Sequence, residues 1–178
     1  MKRRERSRGF TLIELLVVIA IIGLLASVII AALSSSRIKS RDTRRLADIR
    51  QLQNALELYY IANTNYPTPS SGALTALTTA NSIPSLPLDP LGGGNYTYSA
   101  LGSGTTCNSY HLGAYMELAT TQGLANDIDA SAGSPCNNGG SDFSGTSAGT
   151  GTGVSRACST DTSSPAPSGG ERCYDVKP

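Results

Sequence analysis

One acidic side chain, Glu14, interrupts an apolar stretch that is otherwise uncharged from Phe10 to Leu33. As an α-helix rising about 1.5 Å per residue, this stretch is about 36 Å long, and the hydrocarbon core of a bilayer is about 30 Å thick. A carboxylate at the bilayer centre costs about 2.5–3.5 kcal/mol, so acids in such segments are retained where they have a partner and a role. Glu14 is therefore the first candidate for a functional group.

The other side chains that could do chemistry give little support for catalysis. His111 is the single histidine, and the sequence shows no evident nucleophile partner for it. The glycine-rich stretches lack the lysine of a phosphate-binding G-x-x-x-x-G-K-[ST] motif. We therefore expect a surface or packed histidine, a protein that is not an enzyme, and no soluble cofactor.

Four cysteines lie in the C-terminal half of the chain: Cys107, Cys136, Cys158 and Cys173. They contain no C-x-x-C pair, and one histidine cannot complete a common Cys/His zinc pattern. Beyond a membrane-spanning segment they would be outside the cytoplasm, so we expect two disulfides. Three pairings are open. Our working prediction is Cys107–Cys136, which would tie the sheet to a loop, with Cys158–Cys173, which would enclose a Ser/Thr/Pro segment.

The formal net charge of +1 is unevenly distributed. The first nine residues hold five basic side chains and one acidic one, so this segment carries +4 and the remainder carries −3. That balance gives no sign of a nucleic-acid-binding surface, and binding to nucleic acid stays unknown. A second basic cluster, Arg37 to Arg50, is interleaved with Asp42 and Asp48. We expect it to be the solvated face of a helix, with packing on a membrane or filament as the alternative.

Residues 8–14, RGFTLIE, follow a short basic leader and open the apolar run. A secretory signal peptide has a shorter apolar region and a small-residue cleavage site beyond it. The arrangement instead resembles the class III signal of type IV pilin-like proteins, which combines a basic leader, a Gly-Phe junction and a glutamate at fixed offset. Many type IV pilins carry a proline where this chain has Ala31, so a kink at that point is in doubt.

This resemblance implies roles for three residues. A membrane prepilin peptidase would cut after Gly9 on the cytoplasmic side and methylate the new amino terminus at Phe10. Glu14 would pair with the amino terminus of a neighbouring subunit in a filament. Such a buried pair adds little net stability, but a misplaced partner is strongly penalised, so Glu14 would set the axial register. The alternative is an acid that snorkels at the membrane edge without a role.

The apolar run continues into an amphipathic helix. Its apolar positions recur at spacings of three and four residues: Leu46, Ile49, Leu52, Leu56 and Tyr59. No proline occurs between Phe10 and Tyr66, and Pro67 disfavours helix at the preceding residue. We therefore predict one stem helix from Phe10 to about Ala62.

The resemblance implies the type IV pilin fold, of the α+β class. In this fold a long N-terminal helix packs on a small antiparallel sheet, here with a disulfide-tied C-terminal loop region. The chain would divide into a cleaved leader (1–9), a transmembrane and polymerisation half of the stem (10–33), an amphipathic half (34–62) and a globular head (63–178).

Local patterns predict the elements of the head. A short helix is expected within Ser70 to Ala80, with irregular chain from Ile83 to Pro90. Strands are expected at Asn95 to Leu101 and at Tyr110 to Leu118, where apolar residues alternate with others. One face of the second strand would lie on the stem helix, and the face carrying His111 would be wet. Residues 171–176 could return as an edge strand.

Two stretches resemble the major pseudopilin of type II secretion and its relatives: ELYYIANTNYPT, at the end of the stem, and LPLDP followed by YTY. Leu91 stands where an aromatic residue is common. In that group a loop after the sheet binds calcium through acidic side chains and carbonyls. Asp127, Asp129 and Asp142 are the candidates here, although their spacing is not that of an EF-hand. The alternative is an acidic, solvated loop.

Three functions follow. The first is a type IV pilus subunit whose head is exposed at the cell surface, and the disulfides and Ser/Thr-rich region favour it slightly. The second is a subunit of a periplasmic pseudopilus that drives protein export. The third, a membrane-tethered binding module, needs neither Glu14 nor the Gly9-Phe10 junction. For either filament the resemblance implies a single-pass precursor in the cytoplasmic membrane. The implied partners are a leader peptidase, a cytoplasmic assembly ATPase, a membrane platform protein and other pilin-like subunits.

Overall fold

A computed structural model describes residues 10–68, 73–118, 133–137, 142–143, 158 and 173–178, without the side chains of residues 31 and 32. The chain divides into two units, residues 1–37 and 38–178. The first contains the apolar part of a helix. The second contains the rest of that helix and the head.

Helix α1 spans Leu12–Asn63, which confirms the predicted stem. It ends because Thr64 adopts a left-handed conformation with φ 57°, and its N–H donates to the Tyr60 carbonyl at 2.7 Å. The Asn63 side chain also donates to the Tyr59 carbonyl at 2.9 Å. The carbonyls of the last turn thus have partners, and Pro67 follows three residues later.

The core of residues 38–178 forms around the apolar stripe of α1. Ile49, Leu52 and Leu56 are fully buried, and they belong to the same cluster as Leu112 and Met116 from the sheet side. Each such side chain contributes roughly 1.5–3 kcal/mol through the removal of its apolar surface from water. The predicted stripe is therefore the side of the helix that holds the head together.

Helix α2, Thr75–Thr79, is the predicted short helix. Leu74 and Leu77 are buried beside the main core, as expected. The predicted start of this element, residues 70–72, lies outside the described residues. The following chain has neither helix nor strand as far as Tyr96, in agreement with the proline-rich pattern there.

The three strands are β1 (Thr97–Ser103), β2 (Thr106–Tyr115) and β3 (Cys173–Val176), in the spatial order β1-β2-β3 and antiparallel throughout. β1 and β2 form a hairpin with a register shift between Leu101 and Gly102. A Cβ at Gly102, whose φ is +157°, would clash with the Thr106 carbonyl. Glycine is therefore required at this irregularity. β3 is the predicted edge strand.

The prediction for β2 was wrong in two respects. The strand begins at Thr106 and ends at Tyr115, so it does not reach Leu118. Both of its faces are buried from Tyr110 to Tyr115, because Phe143 and the Cys158–Cys173 disulfide form a second small cluster on the face that carries His111. The sheet therefore lies between α1 and a layer from the C-terminal part of the chain.

Candidate functional site

The start of α1 is a capping box around Glu14. Thr11 precedes the first helical residue, and the Thr11 N–H and hydroxyl donate to the Glu14 carboxylate at 2.9 and 2.7 Å. The Glu14 N–H in turn donates to the Thr11 hydroxyl at 3.3 Å. A helix start has unpartnered N–H groups, and this reciprocal arrangement satisfies two of them. Glu14 thus has a local partner within the subunit.

The residues next to the predicted cleavage point are only partly described. Phe10 is 85% exposed, and Gly9 lies outside the described residues. Cleavage after Gly9 and methylation of Phe10 stay predictions. Thr11 was not among the predicted site residues, although the T-x-x-E pattern of residues 11–14 is a recognised capping signal.

The apolar half of α1 presents its side chains outwards. Residues 10–30 are all exposed, and the large apolar side chains among them range from 47% exposed at Val18 to 86% at Leu12. The Ser27 hydroxyl is bonded to the Leu24 carbonyl at 2.8 Å and does not need water. The mean hydropathy reaches 3.1 over 18 residues, so by length and composition this helix could cross a membrane. A continuous apolar surface of this kind needs lipid or other subunits to cover it.

The basic cluster in the second half of α1 is only in part a solvated face: Arg37, Lys39, Arg44 and Arg50 are exposed as predicted, but Arg45 is not. Arg45 is 2% exposed and lies among three carboxylates. Its guanidinium makes two bonds to Asp89, at 2.6 and 2.9 Å, and one each to Asp42 (2.7 Å) and Glu117 (2.9 Å). A guanidinium can serve several acceptors in fixed geometry, which lowers the cost of its burial.

The same cluster binds the end of β2 to α1. Asp42 accepts the N–H groups of Glu117 and Leu118, both at 3.0 Å, where the predicted strand would have continued. Arg41 makes a bidentate pair with Glu117 at 2.6 Å. The hydrogen bond from Arg41 lowers the pKa of Glu117, with Arg45 acting in the same direction against desolvation. Sequence offered no signal for these contacts, because the partners are more than 40 residues apart.

A second polar group is fully buried on the other face of β2. His111 was expected to be a surface or packed histidine, and the structure shows that it is packed between Asp142 and Asp175. Asp142 was a calcium candidate; its Oδ1 lies 2.9 Å from a ring nitrogen of His111 and also accepts the Phe143 N–H at 2.9 Å, so this oxygen is engaged within the protein. The other two candidates, Asp127 and Asp129, lie outside the described residues, so calcium binding stays a prediction. Among the residues that are described, no group of three or more His, Cys, Asp or Glu is arranged to hold a metal ion.

Both disulfides are those of the working prediction, Cys107–Cys136 and Cys158–Cys173. The first joins β2 to the segment 133–137, where the Cys136 N–H also donates to the Ala100 carbonyl at 3.1 Å. The second joins position 158 to β3. They lie on opposite faces of the sheet, one in the main core and one in the small cluster around Phe143.

Comparison with known protein families gives two matches that together cover most of the first 131 residues. Residues 4–30 match the prokaryotic N-terminal methylation motif. Residues 32–131 match the family described as type II secretion system (T2SS), protein G.

Individual relatives of this chain agree with the family match. The chain is 36% identical to the type II secretion system core protein G of Vibrio cholerae over 126 residues, which is 64% of this chain and 85% of that protein. It is 36% identical to the protein of the same name from Pseudomonas aeruginosa over 126 residues, 64% of this chain and 87% of the relative. The Klebsiella michiganensis protein of the same name is 39% identical over 104 residues, which is 51% of this chain and 72% of that protein. No solved structure matches significantly.

Proposed function

Because the chain belongs to the type II secretion system protein G family, we propose that it is the repeating subunit of a periplasmic pseudopilus that drives protein export. The observation that carries this proposal is the protein G match over residues 32–131, since that match includes residues 63–131 of the head as well as part of the stem. The relatives named above favour this function over the surface pilus, which the sequence alone placed first.

The exposed apolar surface of residues 10–30 supports assembly through the helix. In the membrane, lipid covers that surface; in the filament, the helices of other subunits replace lipid. This exchange requires no soluble cofactor. The energy for moving subunits out of the membrane comes from a cytoplasmic ATPase that acts through a membrane platform protein.

Processing prepares the subunit for this exchange. The peptidase removes residues 1–9, and methylation leaves Phe10 as the first residue with a basic amine beside an apolar helix. That amine has a reference pKa of about 7.7–8.0, so it is largely protonated at neutral pH. Glu14 of an adjacent subunit is its counter-charge in the filament. The capping bonds to Thr11 hold the carboxylate at the helix start until that partner arrives.

The test is a deletion strain of the native host, complemented with the full-length gene. For a pseudopilus subunit, we expect the deletion to retain the exported proteins inside the cell, and the processed subunit to have an intact mass that begins at methylated Phe10. Fractionation should recover it in the membrane and periplasm. Recovery of the processed subunit in filaments sheared from the cell surface, with export unaffected by the deletion, would favour the pilus. If the protein is found unprocessed in the membrane and its deletion does not affect export, the membrane-tethered binding module becomes the favoured function.

A further inference from the structure

His111 lies in an unusual electrostatic setting for a side chain with no solvent exposure. Its Nδ1 is 2.9 Å from Asp142 Oδ1, and its Nε2 is 2.8 Å from Asp175 Oδ2. The Phe143 ring stacks on the imidazole with a centroid distance of 3.8 Å and an interplanar angle of 10°. Both ring nitrogens therefore face a carboxylate oxygen inside an apolar enclosure.

This arrangement fixes the number of protons in the cluster. A neutral imidazole carries one N–H, so its other nitrogen would present a lone pair to a carboxylate oxygen. Both contacts become hydrogen bonds when the cluster holds one more proton, either on the ring or on one of the aspartates. Without that proton, one buried ring nitrogen and a carboxylate oxygen would face each other with no hydrogen bond between them, which is unfavourable in an apolar enclosure. The additional proton is therefore required for the closed geometry.

The three residues come from three separate parts of the chain. His111 is in the middle of β2, Asp142 belongs to the described pair 142–143, and Asp175 is in β3. Both aspartates lie beyond residue 131, where the protein G match ends. The Cys158–Cys173 disulfide lies in the same layer, and the Cys158 N–H donates to the Thr97 hydroxyl at 3.1 Å. The additional proton therefore completes the hydrogen bonds between the sheet and two segments of the C-terminal part.

We propose that the His111–Asp142–Asp175 cluster is a proton-dependent latch. With its additional proton the latch holds Phe143 and β3 against the sheet, and loss of that proton on the alkaline side releases them. The proposal does not depend on the type of filament that the chain forms.

The direction of the pH dependence follows from the balance of effects on the ring. Burial alone lowers the pKa of His111, but the hydrogen bonds to Asp142 and Asp175 outweigh it, and the pKa is raised above its ordinary value of 6.5. A raised pKa in the folded state means that the stabilisation is complete below about 6.5 and is lost as the pH rises through the folded value. The latch therefore opens as the pH rises.

β1 contains no charged side chain, and β2 contains none besides His111. β1 presents Ser99, the cross-strand partner of His111, and the buried Ser99 hydroxyl has no hydrogen-bond partner among the described residues. β2 itself places Tyr115 further along the same face. Two titratable groups face the ring: Asp142, from the described pair 142–143, and Asp175, from β3.

The two disulfides allow a test with an internal control. The full chain in detergent micelles is treated with a water-soluble phosphine at a series of pH values, and the released thiols are alkylated and located by mass spectrometry. We expect reduction of Cys158–Cys173 to accelerate relative to Cys107–Cys136 as the pH rises above the folded pKa, by at most tenfold per pH unit for one proton. A ratio that stays constant from pH 6 to pH 10 would overturn the latch.

The variant Asp175→Asn keeps the contact with His111 but removes the need for the additional proton. The asparagine amide can donate to the lone pair of a neutral ring while Asp142 accepts the other N–H, so the closed geometry no longer needs the additional proton. We expect the ratio of reduction rates in this variant to be the same across the pH range. If it still rises as in the wild-type chain, the proton belongs to another group and the proposal fails.

A second measurement, on the wild-type chain, tests the latch even if the variant does not fold. Because His111 is the single histidine, the chain labelled with ¹⁵N-histidine gives one ring spectrum. We expect the ring resonances of the wild-type chain to shift at a higher pH than those of an ordinary histidine. A ring that titrates near the ordinary pKa of about 6.5 would contradict the proposal.

Discussion

At the scale of single residues, Glu14 has two properties that the structure separates. Its carboxylate accepts two hydrogen bonds from Thr11, and any side chain with a suitably placed oxygen could do the same. It also carries a negative charge, which the capping box does not require. A helix cap contributes about 0.5–2 kcal/mol, whereas a buried charge without its partner costs about 3–5 kcal/mol. The charge is therefore the larger effect in an assembled filament.

We predict that Glu14→Gln and Glu14→Ala both abolish assembly. The glutamine keeps an oxygen that can accept the Thr11 bonds but has no charge to pair with a neighbouring amino terminus, and the alanine loses both properties. Assembly is measured as cross-linked oligomers in whole cells, with Glu57→Gln as the matched control, since that glutamine can still accept the Tyr66 hydroxyl bond.

If the glutamine variant assembles as well as the wild-type chain while the alanine variant does not, then capping is the role of Glu14 and the register role is wrong. Loss of assembly in the Glu57→Gln control would mean that the assay responds to any change of charge on α1.

Two adjacent arginines differ sharply in their surroundings. Arg45 is buried among Asp42, Asp89 and Glu117, whereas the side chain of Arg44 is 61% exposed and lies 3.8 Å from Asp48. Exposed pairs are worth about 0–1 kcal/mol. The two positions therefore form a matched pair for measuring the buried cluster.

We predict that Arg45→Met lowers the free energy of unfolding by about 3–5 kcal/mol, because it leaves buried carboxylates without their cation. Arg44→Met should change it by less than about 1 kcal/mol. Urea unfolding of the full chain in detergent, followed by near-ultraviolet circular dichroism of the tyrosines, measures both. Equal effects of the two substitutions would show that the Arg45 cluster does not stabilise the head.

At the scale of elements, the sequence predicted what depends on near neighbours. The existence and order of α1, the short helix, the hairpin strands and the edge strand follow from periodicity, proline and turn residues within a few positions, although the bounds of β2 did not. The burial of Arg45 and of the His111 face could not be predicted in this way. Apart from Asp42, which is three residues from Arg45, their partners are 31 to 72 residues away, and a polar residue on a helix or strand is ordinarily exposed.

The close contact between β2 and the C-terminal layer gives a prediction at Gly113. A Cβ at this position would lie 2.8 Å from the Phe143 ring and 3.0 Å from the Cys158 sulfur. We predict that Gly113→Ala displaces this layer and costs about 1–3 kcal/mol, as overpacking commonly does. Hydrogen exchange of the β3 amides in the full chain should accelerate, because their pairing with β2 depends on the same layer.

The control is Gly133→Ala, whose Cβ would meet Leu101 at an ordinary distance of 3.6 Å. It should leave the β3 amides unchanged. Protection of β3 that is the same in both variants would contradict the tight packing at Gly113.

At the scale of the whole molecule, the chain combines a part typical of its family with a part that the family match does not cover. The match ends at residue 131, and three of the four cysteines follow it. Asp127 and Asp129 lie at the end of the matched part. The calcium site implied by resemblance therefore belongs to the junction between the two parts.

We predict that calcium binds the full chain with a saturable heat in isothermal titration, and that the double substitution Asp127→Asn with Asp129→Asn removes it. Oxygen ligands with negative charge set calcium affinity, so neutral amides at both positions weaken binding strongly. Asp161→Asn, in the Ser/Thr-rich segment, is the charge-matched control. Binding that is unchanged in the double variant would exclude these two carboxylates as ligands.

The pairing of β3 with β2 joins residues about sixty positions apart, whereas β1 and β2 are adjacent hairpin strands. Contacts of such large separation form slowly, because the intervening chain must lose its freedom first. Until β3 docks, those N–H and C=O groups of Leu112 to Tyr115 that point away from β1 form an open edge that can pair with a strand of another copy. The kinetics of β3 docking therefore determine how long each newly made subunit is prone to aggregate.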